Sequence, residues 1–155
     1  MTQNKTWKEY YRGIAHEVKT KSKDKYTKIG AVIVGRDGEI LSTGYNSFPR
    51  GINDNIPERQ NRPEKYYFFT HAELNAIVNA ARIGVSTKGS TMYMTCGIPC
   101  SDCARAIINA GIEKIVCERV SVAKDVRWVE HAKRSIIMFE EAVVTVAYYE
   151  GVHSE

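Results

Sequence analysis

Long apolar runs are missing from this chain of 155 residues. Its longest hydrophobic stretches are far shorter than the roughly 20 residues that a membrane-spanning helix needs. The segment from Met1 to Lys8 is polar, so we expect no secretory leader. Internal repeats and low-complexity segments are absent as well. With 43% hydrophobic residues, the sequence predicts a single domain over residues 1–155, located in the cytoplasm and without a membrane partner.

Cysteine is scarce, with four residues in the whole chain. Cys100 and Cys103 have the spacing of metal ligands, which favours a reducing compartment over a disulfide framework. Cys96 and Cys117 are then acceptable as free thiols.

The net charge is only +4, with a pI near 8.8. This charge is modest for a nucleic-acid binder, so we predict no nucleic-acid partner. The basic excess is local, and the favoured interpretation of it is a solvated loop and helix end. If the segment has a function, a nucleotide phosphate is a better partner for it than a duplex. The crowded lysines are Lys19, Lys21, Lys23, Lys25 and Lys28.

The most informative motif is His71-Ala72-Glu73, followed 27 residues after Glu73 by Cys100 and then Cys103. One imidazole and two thiolates make three zinc ligands, which leaves the fourth tetrahedral position open for water. Zinc lowers the pKa of that water from about 15.7 to roughly 7. Glu73, two residues from His71, lies on another side of the helix and is free to move a proton.

Local patterns place these residues at two helix starts. The spacing of the apolar residues after Glu73 predicts a helix with His71 and Glu73 in its first turn and Thr70 as its N-cap. Pro99 suits the first position of a second helix, which Gly111 ends. We therefore predict that two positive helix ends converge on the metal and favour the thiolate forms of the cysteines.

Each residue also has an ordinary structural interpretation. Glu73 fits the third position of a capping box that begins at Thr70. A lone Cys-x-x-Cys is typical of a structural zinc site or of a redox pair. A closed zinc site needs a fourth ligand, for which Cys96 and Cys117 are the only thiols left. Taken together, H-A-E and P-C-x-x-C form the signature of zinc deaminases.

The order of elements predicts an α/β fold. An amphipathic helix from Trp7 is followed by a hairpin of Ala31–Val34 and Ile40–Tyr45, then a long irregular connection over 46–70. Strands and helices then alternate, which implies parallel pairing. We predict a three-layer α/β/α domain with a mixed five-stranded sheet and the site at its carboxyl edge. The later elements expected are strand 91–95, the Cys100 helix, strand 114–117, a helix around 129–139 and strand 143–148.

Over nearly its whole length the chain resembles the deoxycytidylate deaminases of the zinc-dependent cytidine deaminase superfamily. The likeness extends beyond the zinc motifs. It includes Ser22-Lys23-Asp24, Ile29-Gly30-Ala31-Val32-Ile33-Val34, Gly44-Tyr45-Asn46 with Pro49 and Gly51, the run from His71 to Ile77, Lys88-Gly89-Ser90-Thr91-Met92-Tyr93, and Ala110-Gly111-Ile112.

The resemblance implies a hydrolase of pyrimidine nucleotide biosynthesis that converts dCMP to dUMP with release of ammonia and so supplies thymidylate synthesis. It implies one zinc ion held by His71, Cys100 and Cys103. It also implies that Glu73 protonates N3 of cytosine during attack at C4 and then delivers a proton to the departing ammonia. Substrate contacts are expected from Asn46, Ala72, Ile98, Pro99 and Arg119; for Asn46 a plain turn residue is the alternative.

Three departures from the family pattern are visible. Ser47 and Phe48 follow Gly-Tyr-Asn where family members usually have glycine. The position near Val122 lacks a tyrosine that helps to hold substrate in many members, which leaves Arg119, Arg50, Lys65 and Trp128 as candidate substitutes. Phe69 offers no ligand for the second, structural zinc of some viral members.

The resemblance further implies a homohexamer that is allosterically activated by dCTP and inhibited by dTTP. An effector triphosphate is expected near the lysine-rich segment and the loop from Asn46. Alternative functions are a deaminase of free deoxycytidine or of adenosine in transfer RNA, and a non-catalytic zinc or redox module.

Overall fold

The structure is a computed structural model that describes residues 3–119 and 126–150. Within these ranges it contains five α-helices, one short 3-10 helix and five strands. No helix among these residues has the length and apolarity to cross a bilayer. The elements are α1 (Trp7–Lys19), β1 (Gly30–Val34), β2 (Ile40–Tyr45), the 3-10 helix (Pro57–Gln60), α2 (Glu64–Phe68), α3 (Ala72–Ile83), β3 (Thr91–Met94), α4 (Ser101–Asn109), β4 (Lys114–Cys117), α5 (Val126–Glu141) and β5 (Thr145–Tyr148).

The strands form one mixed sheet in the order β2-β1-β3-β4-β5. The hairpin pairs β1 with β2 in antiparallel fashion, and β1 is also antiparallel to β3. The pairs β3-β4 and β4-β5 are parallel. Strands β2, β3 and β4 therefore end at the same edge of the sheet, where an open α/β fold binds its ligands. The predicted mixed five-stranded α/β fold is confirmed.

Strand β1 is buried on both faces and divides the core into two layers. Ala31 and Ile33 pack in a large cluster with residues from α3, α4 and α5, including Phe139. The alternate residue Val32 packs with Tyr11 and other residues of α1 on the opposite face. Because side chains alternate along a strand, this single strand anchors both helical layers.

Helix α3 approaches the sheet more closely than a side chain on β2 would allow. A Cβ atom at Gly44 would lie 2.3 Å from the Ala76 nitrogen and 2.5 Å from the Ala72 carbonyl oxygen. Asn75 also donates a hydrogen bond from Nδ2 to the Tyr45 carbonyl at 2.8 Å. Glycine at position 44 thus lets the first turn of α3 rest on the end of β2.

Two predicted elements need correction. The connection over 46–70 is not wholly irregular, because it contains the 3-10 helix and α2, and its ends are joined by a two-residue bridge between Ser47 and Thr70. The last strand begins at Thr145 rather than at residue 143, because Val143 has φ of 58°, which no extended strand adopts.

Candidate active site

The site is built where α3 and α4 begin, at the sheet edge formed by the ends of β2, β3 and β4. His71 is the N-cap residue of α3, and Cys100 is the N-cap residue of α4. The Cys100 sulfur accepts a hydrogen bond from the Cys103 backbone N–H at 3.4 Å. The predicted convergence of two helix N-termini is therefore present, and the positive end of α4 favours a thiolate at Cys100.

The predicted caps differ from the observed ones by one residue or more. Thr70 is not the N-cap of α3, because its backbone N–H and carbonyl pair with Ser47 at 2.8 and 3.1 Å. The capping-box interpretation of Glu73 fails with it, since the N-cap is His71 and its side chain makes no capping hydrogen bond. Pro99 precedes the N-cap of α4 and is not its first helical residue.

His71 does not directly follow a strand. The C-cap residue of α2, Phe69, lies two positions before it, with only Thr70 between them. The backbone nevertheless reaches the sheet edge, because the isolated Ser47–Thr70 bridge pairs the residue before His71 with the segment that follows β2.

His71, Cys100 and Cys103 are brought together as predicted. Their ligand atoms all lie within 4.8 Å of one another, and the His71 Nδ1 atom is 3.5 Å from each of the two sulfurs. A tetrahedral zinc with Zn–S bonds of about 2.3 Å and Zn–N bonds of about 2.0–2.1 Å separates nitrogen from sulfur by about 3.5 Å. The donor set and its spacing therefore fit zinc.

The pKa values of the Cys100 and Cys103 thiols are shifted in opposite directions. A hydrogen bond from Cys103, aided by the His71 ring, lowers the pKa of Cys100 to about 4 although burial opposes this. The hydrogen bond with Cys100 and burial raise the pKa of Cys103. Two adjacent buried thiolates repel each other, and a divalent cation resolves this conflict because it deprotonates a coordinating thiol outright.

The ligand atoms of His71, Cys100 and Cys103 form a cage for the metal. Glu73 lies beside this cage without belonging to it. The residue is 4% exposed. Burial raises the pKa of Glu73, while the nearby His71 ring partly counteracts the shift. The shift is in the direction that suits a general acid and base, whose pKa works best near the operating pH.

Asn46 follows β2 directly and lies at the same edge, where its amide organises the loop before β1. Its Oδ1 atom accepts the Ile29 N–H at 2.9 Å, and its Nδ2 donates to the Thr27 carbonyl at 2.8 Å and to Asp24 at 3.2 Å. The structural interpretation of Asn46 is thus supported. The expected substrate contact of Asn46 stays a prediction.

Asp24 is the centre of this loop. Its carboxylate is 2% exposed and lies 2.6 Å from the Lys65 ammonium. Burial pushes the pKa of Asp24 upward, but the Lys65 ammonium and the backbone N–H groups of Tyr26 and Thr27 together hold it below its ordinary value. The ion pair ties α2 to the loop before β1, to which the Asn46 side chain is hydrogen-bonded.

The other candidate substrate residues occupy different surroundings. Ala72 and Pro99 are buried, so they offer mainly backbone atoms, and the Pro99 carbonyl accepts a hydrogen bond from Ser135 at 2.8 Å. Ile98 is half-buried against the main core. The Arg119 guanidinium lies 4.4 Å from the centre of the Tyr148 ring. All four substrate contacts stay predictions.

The residues named as candidate substitutes for the missing tyrosine differ in their surroundings. Lys65 is engaged with Asp24, and Arg50 donates to Asn79 on α3 at 2.8 Å. The Trp128 ring lies 6.2 Å from that of His71, so of this group Trp128 is close to the cage. The position near Val122 lies outside the described residues.

The two substituted loop residues have defined contacts. Phe48 is 9% exposed, and its ring packs 4.3 Å from that of Phe69, between centroids. The Ser47 hydroxyl accepts a hydrogen bond from Asn75 at 3.1 Å. These residues anchor the start of the connection over 46–70 against the residues before His71.

One site residue was not predicted. The Cys96 sulfur donates a hydrogen bond to Glu73 Oε1 at 3.5 Å. Burial raises the pKa of the Cys96 thiol well above its usual range, and the Glu73 carboxylate adds to this effect. No sequence signal marks the contact, because the two residues lie 23 positions apart on different elements.

One nitrogen and two sulfurs with this spacing, and a buried carboxyl group beside them, fit a zinc-binding site on a cytidine deaminase-like fold. The sequence model of the cytidine and deoxycytidylate deaminase zinc-binding region matches residues 5–119. The chain belongs to this zinc-binding deaminase family.

Individual relatives support this family assignment. The chain is 37% identical over 115 residues to deoxycytidylate deaminase of Homo sapiens, covering 71% of this chain and 63% of the human protein's length. It is 39% identical to deoxycytidylate deaminase of Enterobacteria phage T2, covering 68% of this chain and 76% of that protein. The crystal structure of dCMP deaminase from cyanophage S-TIM5 in complex with dCMP and dUMP superimposes with a TM-score of 0.74 at 27% identity, covering 95% of this chain and 99% of that one.

Removing a cage ligand should remove the metal. Cys100→Ala and Cys103→Ala each leave two protein ligands, so we expect zinc to fall from one ion per chain towards zero, measured by elemental analysis of the purified variants. Cys117→Ala is the matched control, because this buried thiol lies in β4 outside the cage, and it should keep one zinc. Full zinc in Cys100→Ala would contradict the assignment.

Breaking the buried ion pair should destabilise the fold in a pH-dependent way. Lys65→Met leaves the Asp24 carboxylate buried and unpaired, which should lower the free energy of unfolding by about 2–4 kcal/mol at pH 7. Because the folded-state pKa of Asp24 is depressed, the pair stabilises the protein above the unfolded pKa of about 3.9 and loses this effect as pH falls through the folded value. Urea denaturation between pH 7 and pH 3 measures the difference.

The control for this variant is Lys23→Met. Lys23 pairs with Asp54 at the same distance of 2.6 Å, but its side chain is 68% exposed. We expect a loss of less than about 1 kcal/mol. A Lys65→Met penalty that is the same at both pH values would show that charge pairing is not its cause.

Proposed function

We propose that this protein hydrolyses dCMP to dUMP and ammonia and thereby supplies dUMP for thymidylate synthesis. One observation carries the proposal: the buried Glu73 carboxyl group lies beside three ligand atoms with the spacing of a zinc cage. The names of the relatives support the choice of substrate, and the cyanophage neighbour, which binds dCMP and dUMP, matches this chain over nearly its full length.

In this proposal His71, Cys100 and Cys103 hold one zinc ion, which supplies the Lewis acidity that lowers the pKa of water from about 15.7 to about 7. Glu73 accepts the proton of that water and passes it to N3 of cytosine, which makes C4 electrophilic. After the oxygen adds to C4, the same carboxyl group moves a second proton to the exocyclic nitrogen, which leaves as ammonia. The overall reaction consumes one dCMP and one water and gives one dUMP and one ammonia.

The remaining residues have positioning tasks. Backbone groups near Ala72, Ile98 and Pro99 line the base, Asn46 faces the sugar, and Arg119 approaches the phosphate. Ala72 has no polar side-chain group, so any hydrogen bond that it makes to the base uses its backbone atoms.

Finer properties belong to the same proposal. We infer a single-domain enzyme over residues 1–155, a cytoplasmic location, assembly to a homohexamer, and regulation by dCTP and dTTP. The free cysteines support a reducing compartment. Hexamer and regulation are supported by the family resemblance.

The decisive experiment is a substrate panel. Ammonia release is measured from dCMP, dCTP, deoxycytidine and a transfer RNA anticodon stem, with and without dCTP and dTTP as effectors. We expect dCMP to be preferred, because the nucleotide phosphate is recognised. Equal turnover of deoxycytidine would refute the substrate assignment, and turnover of the anticodon stem alone would assign the protein to the tRNA deaminases.

Glu73→Gln tests the proton shuttle. The amide keeps the shape of the side chain but cannot exchange protons, so kcat should fall by about 100-fold to 10,000-fold. Zinc content should stay at one ion per chain, because Glu73 is not a ligand. Glu113→Gln is a suitable control, since this exposed carboxylate pairs with Arg36 far from the cage and should leave kcat unchanged. Normal turnover without Glu73 would exclude the mechanism.

A further inference from the structure

The Glu73 side chain has three rotatable bonds before its carboxyl group, and its terminal torsion is broad and only weakly staggered. A general acid and base must nevertheless be held within roughly 0.5 Å of its working position. Among residues 3–119 and 126–150, the one side-chain hydrogen bond that Glu73 receives comes from Cys96.

Cys96 is itself firmly placed. Its carbonyl accepts the Glu118 N–H at 2.9 Å, and the preceding residue, Thr95, donates its N–H to the Gly30 carbonyl at 3.0 Å and accepts the Gly30 N–H on its hydroxyl at 3.0 Å. These bonds join the end of β3 to its neighbours β1 and β4. The sulfur therefore projects from a rigid part of the sheet edge towards the Glu73 carboxyl group.

The chemistry of the pair fixes the direction of the bond. A thiol carries its proton at neutral pH and is a weak donor, whereas a carboxylate only accepts. Cys96 therefore donates and Glu73 Oε1 accepts, with 3.5 Å between the sulfur and the oxygen. Sulfur is large, so this separation is ordinary contact distance for an S–H donor.

Building on the proposed function, we propose that Cys96 is a positioning residue, which holds the Glu73 carboxyl group in its working orientation through this S–H to Oε1 hydrogen bond. The bond occupies one carboxylate oxygen and restricts rotation of the group. The other oxygen is then presented in a constant direction for proton transfer. Cys96 touches no reacting atom in this arrangement, and it acts only through Glu73.

The competing explanation is that Cys96 merely fills space, since it also packs against the main core. Two substitutions separate the explanations. Cys96→Val keeps apolar volume and removes the donor, whereas Cys96→Ser keeps a donor. Cys117 provides the matched control, because it is a second buried thiol at the same sheet edge that donates to the Ala147 carbonyl at 3.8 Å instead of to Glu73.

For Cys96→Val we expect kcat for dCMP to fall about fivefold, which corresponds to about 1 kcal/mol at 1.36 kcal/mol per tenfold. KM should stay within about twofold and zinc at one ion per chain, since neither binding nor the cage is altered. Cys96→Ser should keep most of the wild-type kcat, and Cys117→Val all of it. Equal kcat values in Cys96→Val and wild type, or equal losses in Cys96→Val and Cys96→Ser, would overturn the inference.

A spectroscopic measurement tests the bond independently of any substrate. In the zinc-loaded protein the cage cysteines are thiolates, so the Raman S–H stretching bands belong to Cys96 and Cys117 and can be assigned with the two valine variants. Glu73→Gln replaces a charged acceptor by a neutral one, which should shift the Cys96 band to higher frequency and leave the Cys117 band unchanged. A Cys96 band that does not respond would overturn the inference, whereas failure of dCMP turnover in the wild type would count against the proposed function alone.

Discussion

The structure depends on one constraint, which is that two helices must begin side by side. His71 and Cys100 are both N-cap residues, so the backbone geometry that starts each helix also directs a metal ligand into the same space. Cys103 follows within the first turn of α4, and Glu73 within the first turn of α3. Helix starts present unpaired N–H groups and positive dipole ends, which stabilise thiolates and the negative charge that develops on a substrate. The electrostatics of the cage are therefore a property of the backbone as much as of the side chains.

The sheet serves this arrangement by collecting strand ends at one edge. Gly44 permits α3 to approach β2 at backbone contact distance, and the pairing of β3 with β4 fixes the segment that leads to α4. The buried pair of Asp24 and Lys65 then ties the loop before β1 to α2. Asp24 also accepts a hydrogen bond from Asn46, so the pair helps to fix the Asn46 side chain. Each contact links elements distant in sequence, and together they hold the edge rigid around a cage whose own atoms come from only two helices.

The sequence alone predicted that His71, Cys100 and Cys103 come together and that the sheet is mixed and five-stranded, because these features depend on local spacing and on alternating hydrophobic patterns. The proton-transfer role of Glu73 stays a prediction. The sequence-based prediction was wrong by a residue or more at the helix starts, since the Ser47–Thr70 bridge takes the backbone groups that would have let Thr70 cap α3. The start of β5 was also misplaced, because the left-handed conformation of Val143 is a tertiary outcome. The contact of Cys96 with Glu73, and the ion pair that occupies Lys65, could not be predicted, because each joins residues whose proximity arises only when the sheet edge is assembled.

Two contacts join the ends of the segment 48–69. They are the bridge between Ser47 and Thr70 and the packing of Phe48 on Phe69. A loop closed in this way can gain or lose residues at a small entropic cost, because the free energy of closure grows only slowly with length. Contacts at a few positions hold this segment against the rest of the protein, among them Lys65 with Asp24 and Arg50 with Asn79. Such a loop is a natural place for an enzyme to acquire a new substrate preference or a new regulator while its chemistry stays untouched.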